Sequence, residues 1–75
     1  MDLVRDRQKR LRELLRAARQ AAGLRQVDLS SAMVRPQSFV AKFESGERRL
    51  DFIEVLDVCK LVGLDPVELV RKLAK

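Results

Sequence analysis

The chain has 75 residues, 47% of them hydrophobic, and 16 Lys/Arg against 11 Asp/Glu give a net charge of +5. That length suits one small domain near the lower limit for a self-sufficient core, with stability on the order of 5 kcal/mol to which a dimer interface can add. No run of about 18 apolar residues and no export leader is read, so a soluble, cytoplasmic protein is expected, and the single cysteine, Cys59, excludes an internal disulfide framework.

Residues 1–25 carry eight Lys/Arg against three Asp/Glu (net +5), residues 26–50 four against three (net +1) and residues 51–75 four against five (net −1). The basic excess lies in the first helix, which fits a phosphate-facing side and equally an ordinary solvated helix.

In chain order every segment reads as helix. Leu11, Leu14, Leu15, Ala18, Ala21 and Ala22 form one apolar stripe ended by Gly23; the charged residues before Leu11 either extend this helix or fray. The second helix is expected from about Gln26 to Met33, burying Leu29, Ala32 and Met33. The third starts around Pro36 and ends before Gly46, with Phe39, Val40 and Phe43 inward. Asp51 and Glu54 form a capping box for helix four, with Leu50 and Val55 as its staple and Phe52, Val55, Leu56, Cys59 and Val62 as its apolar side. Gly63 ends it. Helix five repeats the start: Asp65 as cap, Pro66 first, Glu68 closing the box, Leu64 and Leu69 as staple, Val70 and Leu73 continuing the apolar side. No strand is expected. Phe39, Phe43 and Phe52 read as core, so no exposed aromatic platform for single strands remains.

Residues 26–46 are the informative stretch: two short helices at a tight corner, the second with Gln37, Ser38, Ala41 and Lys42 opposite its apolar side. Amide, hydroxyl, methyl and ammonium groups on one exposed helix face, in a basic chain, are what major-groove reading requires. Arg48 and Arg49 after Gly46 suit phosphate contact; on the first helix Arg5, Arg7, Lys9, Arg10 and Arg12 fit phosphate contact and idle exposure equally, with Arg10 taken as the candidate.

The pattern Gln26-x-x-Leu29 followed by Val40-x-x-Phe43-Glu44-x-Gly46, with Gly23-Leu24 before it and Gly63-Leu64 after it, resembles the Cro/repressor (xenobiotic-response-element) class of helix-turn-helix regulators. The resemblance covers about residues 8–70 and implies an all-α, five-helix, lambda-repressor-like DNA-binding domain over 1–75, with its motif at about 26–45 and its last helices at about 52–62 and 66–73. It also implies base contact by Gln37, Ser38 and Lys42, with Ala41 able to pack on a thymine methyl. Gln26 matches a residue that bonds a phosphate while bracing the recognition helix. Arg19 and Glu44 match a structural ion pair, and the physics agrees: an anion at a helix C-terminus needs a cationic partner.

Three positions depart from the family. Val34 stands where a glycine is usual, so either the corner takes another conformation or it carries strain. Ser30 replaces a small alanine, and its hydroxyl can bond back to the carbonyl four residues earlier. Arg25 stands where Ser or Thr would cap helix two, and Arg35, just before helix three, reads as a backbone or base contact.

With no histidine, no metal-ligand cluster and no Gly-rich phosphate loop, neither enzyme chemistry nor a cofactor, metal or small-molecule ligand is expected. The expected partners are a double-stranded DNA operator and a second copy held through the C-terminal helices, and the expected role is repression. The rival reading is an antitoxin-like or coactivator-like protein-interaction module, whose mark would be an exposed apolar patch larger than a few hundred Å².

Overall fold

The computed structural model describes residues 3–75 and, among them, five α-helices and no strand: α1 (Leu3–Ala21), α2 (Gln26–Ala32), α3 (Phe39–Glu44), α4 (Phe52–Val62) and α5 (Pro66–Ala74). From Leu3 onward the charged stretch before Leu11 is helical; the residues before Leu3 lie outside the described residues. Leu15 is fully buried, with Leu11, Leu14 and Ala18 half-buried beside it. Ala21 and Ala22, expected in the same stripe, are exposed. The short Ala21 side chain does not fill the space toward α5, where a cleft of about 260 Å³ remains between Leu14, Ala18, Leu64 and Leu69.

α2 buries Leu29 and Ser30, whereas Ala32, expected inside, is exposed. The helix closes on itself: the Arg35 N–H donates to the Ser30 carbonyl at 3.0 Å and the Val34 N–H to the Ser31 carbonyl at 2.9 Å. This pair of bonds is the Schellman closure, and it places the intervening residue in the left-handed region. α1 and α4 end the same way, with Leu24 bonded to Arg19 and Leu64 to Cys59, around Gly23 and Gly63, each at φ 75°. At the end of α2 the residue is Val34, at φ 56°. The corner therefore keeps the glycine geometry with a β-branched side chain in it.

α3 begins at Phe39, three residues later than expected from Pro36. Residues 36–38 form a tighter turn, with the Phe39 N–H donating to the Pro36 carbonyl at 2.9 Å. The Ser30 hydroxyl lies across the corner and accepts the Val40 N–H at 3.1 Å, so the cap comes from α2. The back-bond expected of Ser30 along its own helix gives way to this one, which satisfies a buried N–H at the start of α3.

In α4 the capping box is formed as expected: Asp51 Oδ1 accepts the Glu54 N–H at 2.8 Å, and Glu54 Oε1 accepts the Asp51 N–H at 2.9 Å. In α5 Asp65 caps the Val67 N–H at 2.9 Å, but Glu68 does not close a box; it turns outward to Arg71 at 3.1 Å. A cation one turn away outcompetes a neutral amide for that carboxylate.

The core gathers Leu15, Leu29, Phe39, Val40, Phe43, Val58, Cys59, Val62 and Leu69, with the two phenylalanines edge-to-face at 5.8 Å. Phe52, expected in the core, is 70% exposed. It is the first residue of α4, and the helix meets the core only from Glu54 onward, through Val58, Cys59 and Val62. Val70 is likewise exposed, while its neighbours on α5, Leu69 and Leu73, face inward.

Candidate nucleic-acid interface

α3 is six residues long and cannot hold its own orientation, so its placement depends on neighbours. At its N-terminal end Ser30 fixes Val40. At its C-terminal end Glu44 receives two bonds from Arg19, Nε at 2.7 Å and Nη2 at 3.0 Å, and a third from Gln26 Nε2 at 2.9 Å. Arg19 also donates to the Leu24 carbonyl at 2.7 Å, tying in the connection between α1 and α2. One buried carboxylate thus joins α1, α2 and α3, and the arginine and amide offset the unfavourable dipole at that helix end. Gln26 braces α3 directly and remains half-buried.

Of the residues expected to read bases, Gln37, Ser38 and Lys42 are exposed and Ala41 is half-buried. Gln37 and Ser38 lie in the turn leading into α3, and Ala41 and Lys42 follow one helical turn later; the Lys42 N–H bonds the Ser38 carbonyl at 3.0 Å. The four positions therefore make a short two-row surface on the outer side of the motif.

Arg35 and Arg48, expected to contact DNA, are both held by Glu54. Arg48 binds it through both Nη atoms at 3.0 Å and Arg35 through Nη2 at 2.9 Å. Both guanidiniums also lie over the Phe39 ring, at 4.9 and 5.0 Å from its centroid. The Arg48 hydrogen bonds hold the Glu54 carboxyl below its ordinary pKa against the opposing effect of burial, and raise that of Arg48 in turn. Two cations on one carboxylate leave the cluster positive. Arg35, Arg48, Ser38 and Lys42 border one shallow cleft of about 220 Å³.

Arg49 is exposed and lies on a different cleft, with Arg5 and Arg12 of α1. Arg10 does not join either group. It is exposed on α1, roughly 160° around the helix from Arg12 at 3.6 residues per turn. Arg25 presents no acceptor, as expected of a poor cap, but Asp28 compensates: it accepts the Arg25 N–H at 2.8 Å and pairs the guanidinium at 2.9 Å.

Two roles were not foreseen in the sequence. Glu54 reads there as a capping residue, and nothing in the spacing of Arg35, Arg48 and Glu54 signals that they converge. Ser30 reads as a self-contained substitution, whereas its partner is ten residues away. Arg5, Arg12, Arg16 and Arg19, by contrast, recur at intervals of seven, four and three, which places them along one face of α1.

No helix among the described residues is long and apolar enough to cross a membrane, and no group of three or more His, Cys, Asp or Glu could hold a metal. The sequence profile of the helix-turn-helix domain matches residues 10–72. The chain is also similar to a solved structure, an XRE-family like protein from Pseudomonas syringae pv. tomato str. DC3000, at 48% identity and a TM-score of 0.87 over 93% of this chain and 85% of that one. No curated protein matches. An all-helical fold, an anchored second helix of the motif and these two likenesses converge: the chain belongs to the XRE-type family of helix-turn-helix DNA-binding regulators.

Proposed function

We propose that the protein recognises a specific double-stranded DNA sequence as a homodimer on a palindromic operator, and that occupancy of a promoter represses transcription by excluding polymerase. The observation that carries this reading is the exposed set Gln37, Ser38 and Lys42 on a short helix whose two ends are fixed from outside, by Ser30 and by Glu44. Gln37 can bond adenine bidentately and Lys42 can donate to guanine O6 and N7, with Ser38 permissive and Ala41 against a thymine methyl. Gln26, Arg35, Arg48 and Arg49 set register through phosphates. Arg35 and Arg48 do so pre-oriented by Glu54, each with about two-fifths of its side chain still exposed. Arg10, exposed on the other flank of α1, reaches a phosphate only if the duplex passes that side of the helix.

Half-site centres about 10–10.5 bp apart, or a multiple of that, are expected. Selection from a random duplex pool at near-physiological salt tests the reading, because purely electrostatic binding is weak there. Enrichment of a palindrome supports it. Gln37→Ala and Lys42→Ala then each cost roughly 1–3 kcal/mol and relax preference at particular bases. Unchanged affinity and unchanged preference in both variants would overturn the assignment of α3.

A second reading has its own observation. Phe52 and Ile53 stand side by side at the start of α4, both well exposed, and suit contact with a protein. Failure to enrich any sequence would move the search to such a partner.

A further inference from the structure

A cleft of about 360 Å³ opens between the first half of α1 and the loop that follows α3. It lies within the range of about 300–1,000 Å³ typical of small-ligand sites. Arg5 and Arg12 enter it from α1, Arg48 and Arg49 from the loop, and no acidic residue lines it among the described residues. Arg48 is committed to Glu54. Arg12 is not committed: it is half-buried, and among the described residues no hydrogen bond or ion pair engages it. A guanidinium that faces a cleft without a protein acceptor leaves its N–H donors to solvent or to an anion.

The loop approaches that guanidinium closely. A Cβ on Gly46 would meet the Arg12 Cζ at 3.0 Å, and the residue sits at φ +86°, where side chains are disfavoured. Glycine leaves the space Arg12 occupies. Arg16 continues the same face of α1 toward Glu44, 3.9 Å away, and is itself 58% exposed. Arg5 and Gln8 lie before residue 10, where the helix-turn-helix match begins.

We propose that this cleft binds a phosphate group, with Arg12 as its principal ligand beside Arg5 and Arg49, at a place separate from the base-reading surface of α3. Planar guanidiniums recognise phosphate oxygens through paired N–H donors, and several converging on one cleft favour a multiply charged anion over a single carboxylate. The phosphate has two chemically equivalent sources: the DNA backbone flanking the operator, or a free phosphorylated small molecule. From Arg5 to Arg16 the stripe is about 16 Å long at 1.5 Å per residue, which matches about five base pairs of flanking duplex at 3.4 Å each.

The experiment has two arms, run on the full chain with Arg12→Gln and with Lys60→Gln, on the exposed side of α4, as a charge-matched control, each first shown by thermal melting to be folded. In the first, inorganic pyrophosphate is titrated and followed by the arginine Nε–H and Gly46 amide NMR signals. In the second, duplexes with and without about five flanking base pairs are compared across salt concentrations.

Free-ligand binding predicts saturable shifts at Arg12 and Gly46, weakened about ten-fold or more by Arg12→Gln and not by Lys60→Gln. Backbone binding predicts that Arg12→Gln lowers the salt slope by about one on the flanked duplex only, with base preference intact. Either result supports the site and names its source. Equal behaviour of Arg12→Gln and the parent protein in both arms overturns it. The pyrophosphate arm decides the cleft even if no DNA sequence is selected, so its failure and the failure of the operator reading are distinguishable.

Discussion

Val34 is held at φ 56° by the two hydrogen bonds that close α2, while its side chain is 91% exposed and packs on nothing. Left-handed geometry costs a residue with a Cβ about 1–2 kcal/mol, part of which returns as chain entropy when glycine replaces it. Val34→Gly is therefore expected to stabilise the fold by about 1 kcal/mol, raising Tm by about 4–8 °C in a domain of this size. Thermal or urea unfolding measures it, and a loss of stability would show that the corner is not strained. Ser30 has the opposite sign. Its hydroxyl is the partner of the buried Val40 N–H, so Ser30→Ala orphans that donor at a cost of roughly 1–3 kcal/mol by denaturant titration; a neutral result would mean another acceptor takes over. Both positions stand out in the sequence as departures from a pattern, but the direction of each effect does not. It depends on where the chain places the neighbouring backbone: whether the corner keeps its left-handed turn, and whether a hydroxyl on α2 faces its own helix or the next.

At the level of elements, what could be read in advance were the devices confined to a few consecutive residues. The Asp51–Glu54 box, the glycine closures at Gly23 and Gly63 and the Asp65 cap all use groups within one helical turn, so local spacing determines them. The start of α3 and the exposure of Phe52 were not legible, because each is decided by where a helix meets the core. The same holds for the Arg35–Glu54–Arg48 cluster, which joins the corner before α3, the loop after it and the start of α4. Its hydrogen bonds depress the Glu54 pKa, with Arg48 the largest cause. A carboxyl whose folded pKa lies below its unfolded value of about 4.3 adds stability that is fully present above that value and is lost as pH falls through the folded pKa. Glu54→Gln should therefore be less stable than the parent at neutral pH, with the gap narrowing as pH drops below about 4. Urea midpoints between neutral and acid pH check this. A gap that stays constant with pH would mean that the carboxylate charge contributes nothing there.

For the whole molecule, the division of charge that is visible in the sequence becomes a division of surfaces. The basic first helix and the loop after α3 carry the arginine clefts, whereas α4 and α5 are close to neutral and expose apolar side chains: Ile53 beside Phe52, and Val67 with Val70. Val70 also borders an apolar cleft of about 320 Å³ between α5 and the first half of α1, with Leu11 and Leu73. A near-neutral surface with exposed apolar side chains is where a second copy can dock at a smaller cost in like-charge repulsion than on the first helix, and this supports the proposed pairing through the C-terminal helices. It also narrows the proposed seam: of Leu69, Val70 and Leu73 on α5, Val70 is the exposed one, the other two being used inside the chain. Val70→Glu and Ile53→Glu place a charge on α5 and α4 respectively, at positions outside the core, so the fold should persist by circular dichroism. If α5 forms the seam, sedimentation of Val70→Glu gives a monomer at concentrations where the parent protein is dimeric, and its operator binding weakens while a single half-site is bound as before. If Ile53→Glu alone does so, the seam lies on α4. If both variants sediment as the parent protein does, neither C-terminal helix holds the dimer.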